Sequence, residues 1–486
     1  MFTAIVPFTR AFFHLEVGYN EGWNIYNAMA VSNHQPLYPA GFGWTTVNYP
    51  MLSFAIFAQL HRVTHDYLFT ARVVSLLSVI ACGVLVACIV RTLGASRRSA
   101  TLAGLFCFAI FCAHASFYVG MDDPQLLAHV FFLLAVLVFL RNRSSLLAIA
   151  AAAFLFVIAG NIKQNPIDFP IAVLVELLLV SLPRALWFSF VGLILTAVAV
   201  LLNLHFGGPN FLGEFLAPRG YSIGHLLDQC LLVLGPIIPC LAVGLYTAIT
   251  LPREGNRRIA LLLLASSFVV SLGFSGGNGV ADNAFFSFLI ALCIILGLFF
   301  DRSLPLTPEP GTRFFSVAGL SAAAPVLLFV SLGIPLILSG NWNPIGSLHE
   351  VVNAQSRFEQ DVAFLQAHPG PALCESLLEC NFAGKPYVYD PFNATRFIHL
   401  HKLDPNPLIQ QLNSHRFSVI QTHDPLPLED SYNSERWDAA IRAAIEANYH
   451  SALDRREPHR EPLTEALLYI PNESPSEFSP APQPPR

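Results

Sequence analysis

Charged side chains are scarce in this chain. They make up 12% of its 486 residues, against 54% hydrophobic, whereas soluble domains carry about 25% charged residues. That scarcity excludes an ordinary soluble domain and points to an integral membrane protein. The net charge of -5 gives no basic surface for nucleic acid. There is no Walker motif, no GxSxG elbow and no CxxC framework, so a nucleotide cradle, a serine-hydrolase site and a zinc or dithiol signature are not indicated. Cysteine is sparse as well. Most of the nine (among them Cys82, Cys88, Cys107, Cys112 and Cys293) fall in apolar stretches, where they read as small hydrophobes. Cys374 and Cys380 lie in a later, more polar region and could pair in an oxidising compartment. A cleaved signal peptide is not indicated either, since Met1–Phe13 lacks a basic leader and a small-residue cleavage site. That stretch resembles half of a membrane helix, because about 20 apolar residues are needed to cross a bilayer.

What the chain has in abundance is long apolar runs. They fall at 68–93, 100–119, 126–140, 145–162, 167–182, 185–204, 230–251, 259–275, 284–300 and 314–339. With the N-terminal segment they predict about eleven crossings and a mainly α, polytopic helical bundle. Met51–Leu60 is apolar but too short to span, ends in His61, Arg62, His65 and Asp66, and suits an interfacial helix. Loop charges orient the bundle, since cytoplasmic loops are rich in Lys and Arg. If the first loop lies outside, the inside loops carry Arg91, Arg97, Arg98, Arg141, Arg143, Arg184, Arg253, Arg257, Arg258, Arg302 and Arg313. The outside then keeps only Arg62, Lys163 and Arg219, with Arg72 just inside a helix end. In this topology the loops at 14–66, Gly120–Gln125, Gly160–Pro166, His205–Gln229 and Gly276–Asn283 share the outer face.

Three parts are expected: 1–340 as the membrane domain, with its first outer loop at 14–66; 341–470 as a small soluble α/β module, also outside; and 471–486 as a Pro/Ser-rich disordered tail. In the module, strand-like runs at Pro371–Cys374, Pro386–Tyr389 and Phe417–Gln421 alternate with helical runs at Ala354–Gln366, Asn406–Leu412 and Arg436–Asn448.

Candidate chemistry sits on the outer loops. The first loop, Glu16–Pro50, is too long for a plain connector and carries Glu16, Asn20, Glu21 and Tyr49. Asp122-Asp123-Pro124 reads plainly as a helix start, with Asp123 as N-cap and Pro124 at the first helical position. A cap needs one acid, however, and two adjacent carboxylates at a membrane boundary also suit a general base or a cation site. Lys163 and Arg219 are candidate phosphate ligands. Arg72 is either paired with a carboxylate or bound to a lipid phosphate. The glycine-rich turn at Gly276–Gly279 could present N–H groups to an anion, and His399 with His401 has the spacing of one strand face but lacks an evident third metal ligand.

At these residues the chain resembles the polytopic GT-C glycosyltransferases, in particular bacterial relatives of protein O-mannosyltransferases and of the lipid A aminoarabinose transferase. The matching features are Asn20-Glu21, Trp23–Ala30, Pro36-Leu37-Tyr38-Pro39, Tyr49-Pro50, Arg72 with Ser75, Asp123 and Lys163, spread over roughly residues 14–300. The resemblance implies a glycosyltransferase of the cell envelope, in the bacterial plasma membrane, using a polyprenyl-phosphate-linked sugar. A glycan, lipid or protein on the extracytoplasmic side would accept the hexose or pentose with inversion. With the residue reading above, it points to Glu21 and Asp123, with Asp122, as catalytic carboxylates and to Arg72 and Lys163, with Arg219, at the lipid phosphate. Glu16, Asn20 and Tyr49 would line the substrate. A divalent cation (Mg or Mn) between Glu21 and Asp122/Asp123 is left open. The family's usual first-loop aspartate falls on Asn20, which cannot act as a base, so Glu21 or Glu16 takes that role or activity is lost. A transporter or flippase, or a non-catalytic protein binding lipid-linked glycans, is the alternative class.

Overall fold

A computed structural model describes residues 2–165, 167–251, 256–303, 317–423, 436–454 and 467–472. The expected tail beyond residue 472, Pro166, Arg253 and Arg313 lie outside the described residues. The chain forms two compact units. The first comprises Met1–Phe13, Asn27–Ala40 and Val47–Val351; the second comprises His14–Tyr26, Gly41–Thr46 and the chain from Val352. The first loop is thus shared between the two.

The first unit is helical. Each apolar run of the sequence coincides with a helix: Tyr67–Thr92, Arg97–His114, Gln125–Arg141, Leu146–Ile162, Asp168–Val180, Leu182–Leu202, Ile223–Leu234 with Ile238–Thr250, Asn256–Ser275, Phe286–Ser303 and Val317–Leu338. Several starts are set by side-chain caps, with Asp66, Ser96, Ser145 and Ser222 each accepting a backbone N–H of the first turn. Among the described residues five segments are long and apolar enough to cross a membrane: Tyr67–Thr92, Leu182–Gly207, Ile223–Thr250, Arg257–Ser275 and Asp282–Arg302. Their surroundings differ. Asp282–Arg302 is 94% buried among its neighbours, whereas Leu182–Gly207 is 11% buried, so the latter offers an apolar face to lipid. Glu176, an acid deep inside an apolar run, is answered by Arg258 at 2.8 Å and Arg143 at 3.2 Å. The short apolar run after Pro50 is the helix Leu52–Thr64, closed by His65 in the left-handed conformation. At the N-terminus only Ile5–Arg10 is α-helical.

The second unit is an α/β module. Its sheet has the order β1 (Ala372–Cys374), β2 (Val419–Thr422), β4 (Leu467–Pro471), β3 (Tyr449–Asp454), with β1 and β2 parallel and the other pairs antiparallel. Side chains alternate across it. Leu373, Ile420, Leu467 and Tyr469 join Trp437, Ile441 and Ile445 in the larger core. Ala372, Cys374, Val419 and Leu468 face Leu365 on the other side. Two expectations fail here. Pro386–Tyr389 is not a strand; Pro386 has no N–H to donate to a ladder, and Tyr389 is drawn into the core instead. His399 ends the helix Pro391–His399 and His401 follows in a left-handed turn, so the two do not share a strand face.

Candidate functional site

In the first unit three of the expected residues converge. Lys163, the residue that closes the helix Leu146–Ile162, directs its Nζ to Asp123 at 2.9 and 3.1 Å and to the Tyr49 hydroxyl at 2.7 Å. Nζ also lies 4.2 Å from the centre of the Tyr49 ring. Both charged side chains are 1% exposed. Burial alone would push the lysine down, but Asp123 and Tyr49 outweigh it and hold the ammonium above its ordinary range. Asp123 does double duty, since its Oδ1 also accepts the Gln125 N–H at 2.8 Å. The helix starts at Gln125 with Pro124 as N-cap, one residue later than the capping pattern predicts. Asp122 is buried beside it. Tyr118 has Asp282, Asp123 and Tyr49 as electrostatic neighbours, which brings the Gly276–Asn283 loop to the same place.

Tyr49 is fixed by the chain around it. Val47 N–H donates to Glu214 at 2.7 Å, Gln164 donates to the Asn48 carbonyl at 2.6 Å, Tyr38 O–H donates to the Tyr49 carbonyl at 2.5 Å, and Met51 N–H donates to Asn203 at 2.8 Å. Gly208 lets this happen. It has φ +131°, and a Cβ there would lie 2.1 Å from the Tyr38 carbonyl oxygen. Glu214 and Asn203 were not among the sequence candidates; an acid amid the apolar residues Phe211–Ala217 of the long loop His205–Gln229 was the available signal for the former.

Three further cations of this unit, Arg72, Arg219 and Arg10, donate to backbone carbonyls. Arg72 is buried and donates to the Phe13 carbonyl at 2.6 Å. Its neighbour Ser75 bonds Tyr118 O and Gly120 N. Arg219 is half-buried and donates to the Asn278 carbonyl at 3.3 Å. Arg10, missed in the sequence, is buried and donates to the carbonyls of Ser116 and Phe117, holding the loop that leads to Asp122.

Glu16, Asn20 and Glu21 belong to the second unit. Asn20 opens the helix Asn20–Ser32 and is half-buried, whereas Glu21 is fully buried, its Oε2 accepting the Val17 N–H at 2.7 Å. Glu16 accepts from the Ser376 hydroxyl and from Leu378 N–H. Burial pushes its carboxyl up, Glu21 adds to that, and Ser376 and His423 oppose it. Cys374 and Cys380 form a disulfide around Ser376 and Leu378. Among the described residues no group of three or more His, Cys, Asp or Glu is gathered as a metal-ligand set. At Asp123 both carboxylate oxygens face the lysine ammonium, an arrangement that does not suit a divalent cation.

No family model matches the sequence, and no curated protein matches it. Solved structures match over almost the full length. ArnT from Cupriavidus metallidurans in the apo state gives a TM-score of 0.59 at 13% identity, covering 96% of this chain and 95% of ArnT. ArnT bound to undecaprenyl phosphate gives 0.59 at 14%, covering 96% of each chain. The Archaeoglobus fulgidus oligosaccharyltransferase tethered with an acceptor peptide gives 0.54 at 11%, covering 92% of this chain and 71% of that one. These proteins are GT-C glycosyltransferases, and the chain has their polytopic fold.

Proposed function

We propose that the chain is an integral membrane glycosyltransferase that moves a sugar from a polyprenyl-phosphate-linked donor to an extracytoplasmic glycan, lipid or protein. The observation that carries this reading is the buried ammonium of Lys163 held between Asp123 and Tyr49 at the end of apolar helices. A buried cation whose partner is itself a base can exchange that partner for an incoming phosphate. The fold shared with ArnT bound to undecaprenyl phosphate supports such a ligand.

In this scheme the donor phosphate takes Asp123's place at Lys163, and the aspartate is released to act as base. The acceptor hydroxyl gives its proton to Asp123 as its oxygen attacks the anomeric carbon. The bond from that carbon to the phosphate oxygen breaks with inversion, and its electron pair stays on the phosphate, stabilised by Lys163 with Arg72 and Arg219. Asp122 tunes the local charge, and Tyr49 orients the lysine. Glu21 is the second candidate base, and its Gln variant is compared with Asp123→Asn below; Glu16 and Asn20 are candidate substrate contacts. No step is assigned to a metal.

Two observations support an extracytoplasmic active face in a bacterial plasma membrane: the arginine-rich opposite loops, and the Cys374–Cys380 disulfide, which persists in oxidising compartments. Residues 341–470 would then form the outer module.

The test is transfer from a radiolabelled polyprenyl-phosphate sugar to extracted envelope acceptors, with wild type beside Asp123→Asn, Lys163→Met and Glu21→Gln at matched membrane levels. The expected result is transfer by wild type that falls at least about 100-fold in Asp123→Asn and Lys163→Met. Folded wild type that transfers nothing across several donors would refute the enzyme and favour a transporter or scaffold.

A further inference from the structure

We propose that Asp390 is a positioning residue for Glu21, clamping both sides of the turn that carries it. The inference rests on the reading of Glu21 as a candidate base. Asp390 is 0% exposed and stands at the N-cap of the helix Pro391–His399, where it accepts the Asn393 N–H at 3.0 Å. A cap requires one such bond. Asp390 makes three more: Tyr19 O–H donates to Oδ1 at 2.5 Å, Trp23 Nε1 donates to Oδ2 at 3.0 Å, and Asn393 Nδ2 donates to Oδ2 at 2.6 Å. Tyr19 and Trp23 are 371 and 367 residues away in sequence, and they stand two residues before and two residues after Glu21.

The surroundings leave this turn little room. Gly22 lies against the neighbouring segment so closely that a Cβ would sit 2.1 Å from Leu378 N. Tyr26 donates to the Lys385 carbonyl at 2.7 Å and stacks on Tyr387, ring centres 4.9 Å apart. The Arg436 guanidinium covers the Tyr19 ring at 4.2 Å. Burial and the nearby Asp390 push the Tyr19 phenol well above its usual range, so it stays a donor to the carboxylate. Every donor aimed at Asp390 needs an acceptor, and an amide in its place would turn an N–H₂ toward some of them. The helix cap at Asp390, in this inference, sets the geometry of residues 19–23 within the second unit.

The experiment uses the full chain in nanodiscs. Hydrogen exchange across residues 14–26 and the kinetics of transfer are measured for wild type, Asp390→Asn, Tyr19→Phe and the double variant. Tyr19→Phe removes a single hydroxyl and guards against a folding failure in the Asp390 variant. The expected result is faster exchange at Val17–Trp23 in both single variants. It is accompanied by a loss of about tenfold or more in kcat, with donor KM within about twofold, since misplacing a catalytic group costs turnover more than binding. The double variant is expected to be no worse than Asp390→Asn, because the two residues share one interaction. Unchanged exchange at 14–26, or a raised donor KM with kcat intact, would overturn the inference. If wild type shows no transfer, the exchange result alone decides the positioning role, and only the glycosyltransferase assignment falls.

Discussion

Lys163 Nζ lies 2.9 Å from Asp123 Oδ2, and both side chains are 1% exposed. A residue expected to wait for a phosphate is therefore already paired with a residue expected to act as a base. Each keeps the other from being a bare buried charge, and any ligand that claims one releases the other.

Stability follows directly from that pair. Lys163→Met removes the cation facing a buried carboxylate and is expected to cost about 3–5 kcal/mol, while Lys163→Met/Asp123→Leu recovers a good part of it because no lone charge remains. Thermal unfolding in detergent checks this. A double variant less stable than Lys163→Met would contradict it.

Glu214→Ala deletes the acceptor of the Val47 N–H and loosens the segment that presents Tyr49. A loss of about 1–3 kcal/mol is expected from leaving that N–H unsatisfied. The same variant should raise the donor KM, measured in the transfer assay, since Tyr49 would no longer hold the lysine in place.

The disulfide gives a chemical count. Seven cysteines are free and two are bonded, so alkylation of the unfolded, unreduced protein is expected to label seven sites by mass spectrometry, and nine after reduction. Cys374→Ser/Cys380→Ser should cost about 2 kcal/mol, as expected for so short a closed loop.

Much of the fold could be read in advance because apolar runs report helices directly: all ten coincide with helices. The candidate residues that converge at Lys163 stood out one by one, since an isolated lysine or paired aspartates are conspicuous against so apolar a background. Their pairing was not. Asp123 and Lys163 are 40 residues apart, and nothing local in either motif states that they meet. The interleaving of the first loop with the C-terminal module was hidden for the same reason, because Tyr19 and Asp390 meet only through tertiary structure. In the module itself, Pro386–Tyr389 carried strand-like residues, but Pro386 has no N–H for a ladder and Tyr389 turns into the core, and Tyr449–Asp454 and Leu467–Pro471 became strands through pairing with each other.

Glu16 yields a prediction in pH. Burial raises its carboxyl above the unfolded value, so the folded state favours the protonated form. The stabilisation is complete below the unfolded pKa and is lost as pH rises through the folded one. Glu16→Gln keeps an oxygen for Ser376 without the charge. Relative to wild type, it is expected to match in stability near pH 4 and to gain progressively toward neutral pH. Melting temperatures across that range check the sign; a gap that narrows with rising pH would contradict it.

The most direct measurement is binding of undecaprenyl phosphate to the purified chain in nanodiscs, for wild type, Lys163→Met and Asp123→Asn. If the donor phosphate replaces Asp123 at Lys163, Lys163→Met loses at least about tenfold in affinity, as removal of a charge-assisted bond requires. Asp123→Asn, which frees the lysine, binds as tightly as wild type or more tightly. Equal affinity in wild type and Lys163→Met would contradict the account and leave the pair as a structural bolt of the bundle.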